Sequence, residues 1–467
     1  MNATQLEHLG MPRWTVPLAL EAIGNICSRT EFPRSRLMEL MQTVVASPAD
    51  FLQHPQLSTL AAELLADQEE LQTPLAPAAD ITYRSWCGDA DAATHDQMRA
   101  ACRIPAARQG ALMPDAHVGY GLPIGGVLAT EGVVIPWAVG VDIACRMKIS
   151  ILDLPPQTLD THFQQYRSAL MDGTFFGVGC EHSHPQNHSV LDEDWSITAV
   201  TADRKDRARQ QLGTSGSGNH FVEFGTLTVT ESQPDLALTP GTYVALLSHS
   251  GSRGAGAAVC QEYSAIARQR LPRRYADYEK LAWLALESEA GQEYWAAMNL
   301  MGRYAGANHD VIHRFVCSLL GAEILTGVEN HHNFAWQERH GDRDLIVHRK
   351  GATPANVGEL GVIPGSMADS AWVVRGLGNP DSLKSASHGA GRVMSRKKGK
   401  EMWDFKVVRQ ELLERGIHVL SAGADEVPGV YRRIEEVMAA QQDLVQPIAR
   451  FDPRIVRMCG DGSRAED

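Results

Sequence analysis

No apolar run in the chain approaches the ~20 residues that a membrane-spanning helix needs, and Glu7, His8 and Arg13 interrupt what would be the apolar core of a secretory signal. The expectation is a cytoplasmic protein without a membrane partner. Cysteine is sparse, at eight in 467 residues with no regular spacing, so a disulfide framework is excluded and most thiols are expected to be reduced and buried. Positive charge is short as well. A formal net charge of -13 excludes a general electrostatic coat for nucleic acid, and phosphate binding has to rest on local clusters. Two such clusters stand in the sequence. One is Arg392, Arg396, Lys397, Lys398 and Lys400 with no acid among them, and the other is Arg339, Arg343, His348, Arg349 and Lys350. Either is as readily a solvated face.

The 44% hydrophobic content, over this length, is enough for a sizeable core. Leu37, Leu40 and Met41, then Leu57, Leu60, Leu64 and Leu65, recur at helical spacing between Trp14 and Leu71. The segment Thr73-Pro74-Leu75-Ala76-Pro77 breaks that pattern. A helical N-terminal extension over residues 1–80 is therefore expected, followed by one large mixed α/β domain over residues 81–467, an α+β chain without internal repeats. The longest helix is expected from about Tyr278 to Ile324, and another from Val427 to Gln441 with Pro428 in its first turn.

The chemistry centres on Val139-Gly140-Val141-Asp142-Ile143-Ala144-Cys145-Arg146. In a regular strand Asp142 and Cys145 would point to opposite faces, so a turn is the geometry that lets both reach one ion. Ile124 to Leu128 and Val133 to Ile135 read as strands feeding it. Further on, the small-residue loop Gly213 to His220 offers backbone amides for phosphate and ends in a possible ligand. His249 stands at the end of an apolar strand with Arg253 four residues later, an imidazole suited to a metal and a guanidinium suited to phosphate. In Asn330-His331-His332-Asn333 either histidine is a candidate. His388, among small neighbours and beside the first basic cluster, is sterically open as a nucleophile toward phosphorus. Together these stretches point to metal-assisted phosphoryl or nucleotidyl transfer. Two other groups are weaker. Cys180, His182, His184 and His188 share an irregular loop without standard ligand spacing, and His309 and His313 sit at i and i+4 without the glutamate of a zinc-protease motif, so a plain histidine pair is the better reading.

The segments Met113-Pro114-Asp115-Ala116-His117-Val118-Gly119, Gly140 to Cys145, Gly218-Asn219-His220, His249 to Arg253, Val347 to Thr353, Pro364-Gly365-Ser366-Met367 and Ser387 to Arg392 follow one another in a family order. Over roughly residues 81 to 460 the chain resembles the RtcB family of GTP-dependent RNA-splicing ligases. The resemblance implies two Mn(2+) ions bridged by Cys145, with Asp142 and His220 completing one site and His249 and His332 the other; His332 is chosen because His332-Asn333-Phe334-Ala335 fits the family pattern. It implies His388 as the catalytic nucleophile that takes GMP from GTP, a nucleotide contacted by Asn219, Glu223, Ser366, Ser370, Asn379 and Tyr431, and phosphates or RNA held by Arg253, Lys350, Arg392 and Arg396. The implied partners are RNA with 3'-phosphate or 2',3'-cyclic phosphate and 5'-hydroxyl ends, and an archease-like activator. The implied function is joining those ends in RNA repair or tRNA splicing. Two alternatives stand beside it: a manganese-dependent RNA-end phosphodiesterase or phosphatase that has lost guanylylation, and a non-catalytic RNA-end binding protein. The sequence departs from the family at its end, where Cys459 occupies the place of a lysine; Arg457 is the side chain expected to substitute.

Overall fold

The computed structural model describes residues 1–28, 33–72 and 81–460, and divides the chain into two compact units. The first comprises Met1–Ala78 together with Ala265–Ala282, so a segment that the sequence reading assigns to the large domain belongs here. The expected boundary near residue 80 falls outside the described residues. Helices Ala3–His8, Val16–Cys27, Arg34–Ala46 and Ser58–Gln72 form this unit. Their apolar faces meet in a core of Leu6, Ile23, Leu37, Met41, Leu57 and Leu60, following the helical spacing of these side chains.

The second unit is α+β and is built on two main sheets. The larger has the strand order Leu360–Ile363, Ala371–Gly376, Val445–Met458, Phe221–Val229, Gly241–Ser250, Arg146–Leu152, Ile324–His331, with His418–Ser421 also paired to Val445–Met458. Alternation of side chains gives this sheet two apolar faces. Val244 and Leu246 join Phe224 and Ile312 in one cluster, while Ala245 and Leu247 join Met147 and Ile149 in the other. The smaller sheet runs Tyr83–Ser85, Ala107–Tyr120, Leu122–Thr130, Arg343–Lys350, Asn333–His340.

Two helices differ from expectation. The long one is Glu289–Leu320, beginning later than Tyr278 because Arg273–Leu281 forms 3-10 turns, Leu284–Ala285 pairs as a short strand, and Ser288 caps the helix by accepting from Gly291 N. Between Val427 and Gln441 the chain makes a 3-10 turn at Pro428–Val430, then Tyr431 bridges to Arg392, and only Ile434–Ala440 is α-helical. That interruption carries Tyr431 away from a helix face.

Candidate active site

Four neighbouring strands of the large sheet end at one edge. His220 precedes Phe221, His249 stands one residue before the end of its strand, Cys145 precedes Arg146, and His332 follows His331. The register pairs Phe221 with His249 and sets Arg146 between Ser250 and His331, so backbone pairing alone delivers these four side chains to one place. Asp142 joins them through the turn. Cys145 N donates to Asp142 O at 3.2 Å, Ala144 takes a φ of 56°, and Ala144 N donates to Asn333 O at 2.7 Å, reversing the chain so that carboxylate and thiol share one side. Gly251 leaves the carboxylate room, since a Cβ there would lie 2.2 Å from Asp142 Oδ1.

Cys145 Sγ lies 3.1 Å from His249 Nε2 and 3.5 Å from His220 Nε2, His220 Nε2 is 3.1 Å from Asp142 Oδ2, and His249 Nε2 is 3.2 Å from His332 Nε2. The donors thus form two groups that share the thiol, Asp142–Cys145–His220 and Cys145–His249–His332, each with its ligand atoms within 4.8 Å of one another. Backbone carbonyls fix the tautomers. His220 Nδ1 faces Ser215 O at 2.8 Å and His249 Nδ1 faces Asn219 O at 3.3 Å, which leaves their Nε2 lone pairs turned toward the sulfur. Burial, reinforced by the neighbouring His220 and His388, pushes His249 down to about 3, and burial drives His332 well below the usual imidazole range. Both rings are neutral at pH 7 and competent to ligate. Burial opposes the charge on Asp142, but the neighbouring His220 and the Arg253 guanidinium hold its carboxyl below the ordinary value. A carboxylate, a thiol and three imidazoles converging in a buried space fit two cations better than they fit one another.

Beside this centre a cavity of about 110 Å³ is lined by Asn219, Glu223, Ser366, His388, Arg392 and Tyr431, among others. His388 has its ring 4.9 Å from that of His332. Its Nδ1 donates to Oδ2 of the fully buried Asp115 at 2.6 Å, and the same oxygen accepts from His388 N and Gly389 N at 3.2 Å each. With Nδ1 so engaged, Nε2 is the ring nitrogen left with its lone pair available. Glu223 has its carboxyl pushed well above the ordinary range by burial. Arg392 contacts the Asp425 carbonyl at 2.8 Å and the Tyr431 hydroxyl at 3.3 Å, while Arg396 and Tyr431 both reach the buried Glu426.

Other residues named from the sequence do not line this cavity. Ser370 bonds Asp452 at 2.7 Å and Asn379 bonds Asp443 at 3.1 Å, and neither lines the cavity. Lys350 donates to Trp137 O at 3.0 Å and also to Tyr120 O, while Arg253 donates to Thr214 Oγ1 at 3.3 Å with Gly216 packed on its guanidinium. His309 and His313 are a buried pair sharing the Ser248 hydroxyl at 2.7 Å each. Among the described residues, Cys180, His182, His184 and His188 form no metal-holding group.

A family model described as "tRNA-splicing ligase RtcB" matches residues 97–198 and 192–458. The chain belongs to the RtcB family. Its relatives include RNA-splicing ligase RtcB1 of Escherichia coli, 32% identical over 371 residues (72% of this chain, 87% of that protein), and tRNA-splicing ligase RtcB of Thermococcus kodakarensis, 30% identical over 417 residues (73% and 86%). RNA-splicing ligase RtcB of Mycobacterium tuberculosis is 33% identical over 415 residues (73% and 94%). Against the RtcB resemblance, two side chains stand out that the sequence reading did not assign. Asp115 sits in the Met113–Gly119 motif, where an acid among apolar neighbours was the available signal; Glu426 carries no local signal, because its cations come from a segment 30 or more residues away. One expectation is overturned. Arg457 does not stand in for the RtcB lysine, because its guanidinium donates to Leu170 O, Met171 O and Thr174 O at 2.6, 2.7 and 3.0 Å, at the end of helix Phe163–Gly173, where unpaired helix carbonyls attract a cation.

Proposed function

We propose that the chain is an RNA ligase that joins a 3'-phosphate end to a 5'-hydroxyl end through GMP carried on His388, with GTP as cosubstrate and two divalent cations, manganese by family, held by Asp142, Cys145, His220, His249 and His332. The observation that carries the reading is the His388–Asp115 pair at 2.6 Å beside the two ligand groups. Such a pair fixes the Nδ1 proton and leaves Nε2 to attack the α-phosphorus, forming a nitrogen–phosphorus bond as pyrophosphate departs. Asp115 balances the positive charge that the ring acquires in this step. The bound cations would supply charge to neutralise phosphates and would activate oxygen nucleophiles. Asn219, Glu223, Ser366 and Tyr431, which line the cavity, are placed to hold the nucleotide. GMP then passes to an oxygen of the RNA 3'-phosphate, returning His388 to its neutral form, and attack by the 5'-hydroxyl on the 3'-phosphorus expels GMP and seals the strand. A 2',3'-cyclic end is first opened by water to the 3'-phosphate. An archease-like activator remains part of the proposal.

Cys459, with Arg457 turned away, motivates a second reading, an enzyme of the same metal centre that only hydrolyses RNA ends. One experiment separates the two. GTP labelled at the α-phosphate is incubated with the chain and manganese, and the denatured protein is tested for acid-labile label against His388→Ala. Label in the parent chain alone is the expected result, and its absence across manganese and GTP concentrations overturns the ligase reading in favour of the hydrolase.

A further inference from the structure

Between Arg392 and Arg409 the chain carries seven cations and two acids, an island of positive charge in a protein of formal net charge -13. The segment runs from the cavity wall at Arg392 through helix Arg396–Met402 into helix Phe405–Glu414. While Val408 packs into a core with Met394 and Phe405 against it, other apolar residues face outward: Val393 is 50% exposed, Met402 57% and Trp403 36%. Lys397, Lys398 and Lys406 are exposed with them, and Lys398 and Met402, at i and i+4, share one helix face. The surface is fastened to the cavity rim. Val393 N donates to Val430 O at 2.9 Å, a Cβ on Gly399 would meet Val430 at 2.9 Å, and the Trp403 ring covers Gly429, two residues from the cavity-lining Tyr431.

Aromatic and apolar side chains interleaved with exposed lysines suit a chain of negatively charged, stackable units, whose phosphates would compete for Lys397 with its 3.9 Å surface pair to Glu401. We propose that the Val393–Arg409 surface docks the single-stranded segment of the RNA leading to the reacting end, with Lys397, Lys398 and Lys406 on its phosphates and Trp403 stacked on a base. This rests on the reading of the chain as an RNA enzyme and extends it to a surface outside the cavity.

The test measures fluorescence anisotropy of a labelled single-stranded RNA carrying a 3'-phosphate, over a range of salt, beside His388 labelling by GTP. Replacing three phosphate contacts in the variant Lys397→Glu/Lys398→Glu/Lys406→Glu should reduce the slope of log affinity against log salt by about 2, at roughly 0.7 per contact. Trp403→Leu should weaken binding about tenfold with the slope unchanged. His388 labelling, which needs no RNA, stays at the parent level in both variants. RNA affinity and salt slope in the triple variant equal to those of the parent would overturn the docking surface and turn attention to a protein partner there. A parent chain that binds RNA but never labels His388 would instead overturn the ligase reading alone.

Discussion

Asp115→Asn is the sharpest perturbation of the proposed nucleophile. The carboxylate oxygen Oδ2 accepts three donors, His388 Nδ1 at 2.6 Å and the backbone N–H groups of His388 and Gly389 at 3.2 Å, while Oδ1 is buried without a hydrogen-bond partner. An amide oxygen placed at Oδ2 keeps the three acceptor contacts, so the backbone of the His388 loop stays seated. What goes is the charge. A charge-assisted hydrogen bond contributes about 1.5–3 kcal/mol against about 0.5–1.5 for a neutral one, and the difference, about 1–1.5 kcal/mol, applies where the imidazole becomes cationic on attack. That is roughly a tenfold slower transfer of GMP to His388. The amide N–H2 at the Oδ1 position would also be unpaired, at a stability cost of about 1–3 kcal/mol. Asp115→Ala removes all three acceptor contacts and frees the ring, and labelling should fall at least a further tenfold. The assay is single-turnover labelling by α-phosphate-labelled GTP with excess manganese, accompanied by the melting temperature. Unchanged single-turnover labelling by a folded Asp115→Asn chain would refute the argument that this carboxylate tunes His388.

Four other perturbations follow from the same geometry. Cys145→Ser should lose metal from both groups at once, since they share the sulfur, and elemental analysis after gel filtration reads metal per chain; retention of one full equivalent would show that the groups are independent. Gly251→Ala places a methyl 2.2 Å from Asp142 Oδ1 and should displace that carboxylate, giving metal loss at the Asp142–Cys145–His220 group first. Arg457→Ala should lower the melting temperature while leaving GTP affinity in place, because the side chain serves carbonyls at a helix end; weakened GTP binding at unchanged stability would reverse that assignment. Lys350 has its ammonium pushed down to about 8 by burial, so between pH 8 and 10.5 the unfolded chain binds the extra proton and stability from this group rises with pH. Denaturant melts at pH 8 and 10 should show that rise, about 2 kcal/mol, in the parent chain and not in Lys350→Met, and equal pH dependence of the two would count against it.

Much of the site was legible because its parts obey local rules. Asp142 and Cys145 are three apart, an offset that a strand cannot use and a turn can, and the left-handed Ala144 provides the turn. His249 and His220 announce themselves by position, one ending an apolar strand and the other ending a glycine-rich loop. The choice between His331 and His332 was closed to local reasoning. It depends on register: His331 pairs with Arg146 inside the sheet and stacks on Trp336 at 5.0 Å, while His332, one residue on, meets His249. Ser370, Asn379 and Lys350 show the opposite case, where correct residue types in plausible segments take acidic or carbonyl partners instead of facing the cavity. The assignment of Ala265–Ala282 to the helical unit is likewise a long-range fact. No periodicity within that segment announces it.

The placement of the proposed ligands on four adjacent strand ends would tie a bound ion's binding energy to the stability of the whole sheet. His220 and His332, at the two ends of this row, are brought together only when the strands from one to the other have paired, so an unfolded chain offers no comparable pocket. Every factor of ten by which free metal exceeds its dissociation constant then adds about 1.4 kcal/mol to the native state by mass action. Chelation would draw that contribution out of the sheet as a unit, and resistance to heat or protease would become a gauge of how well the centre is loaded.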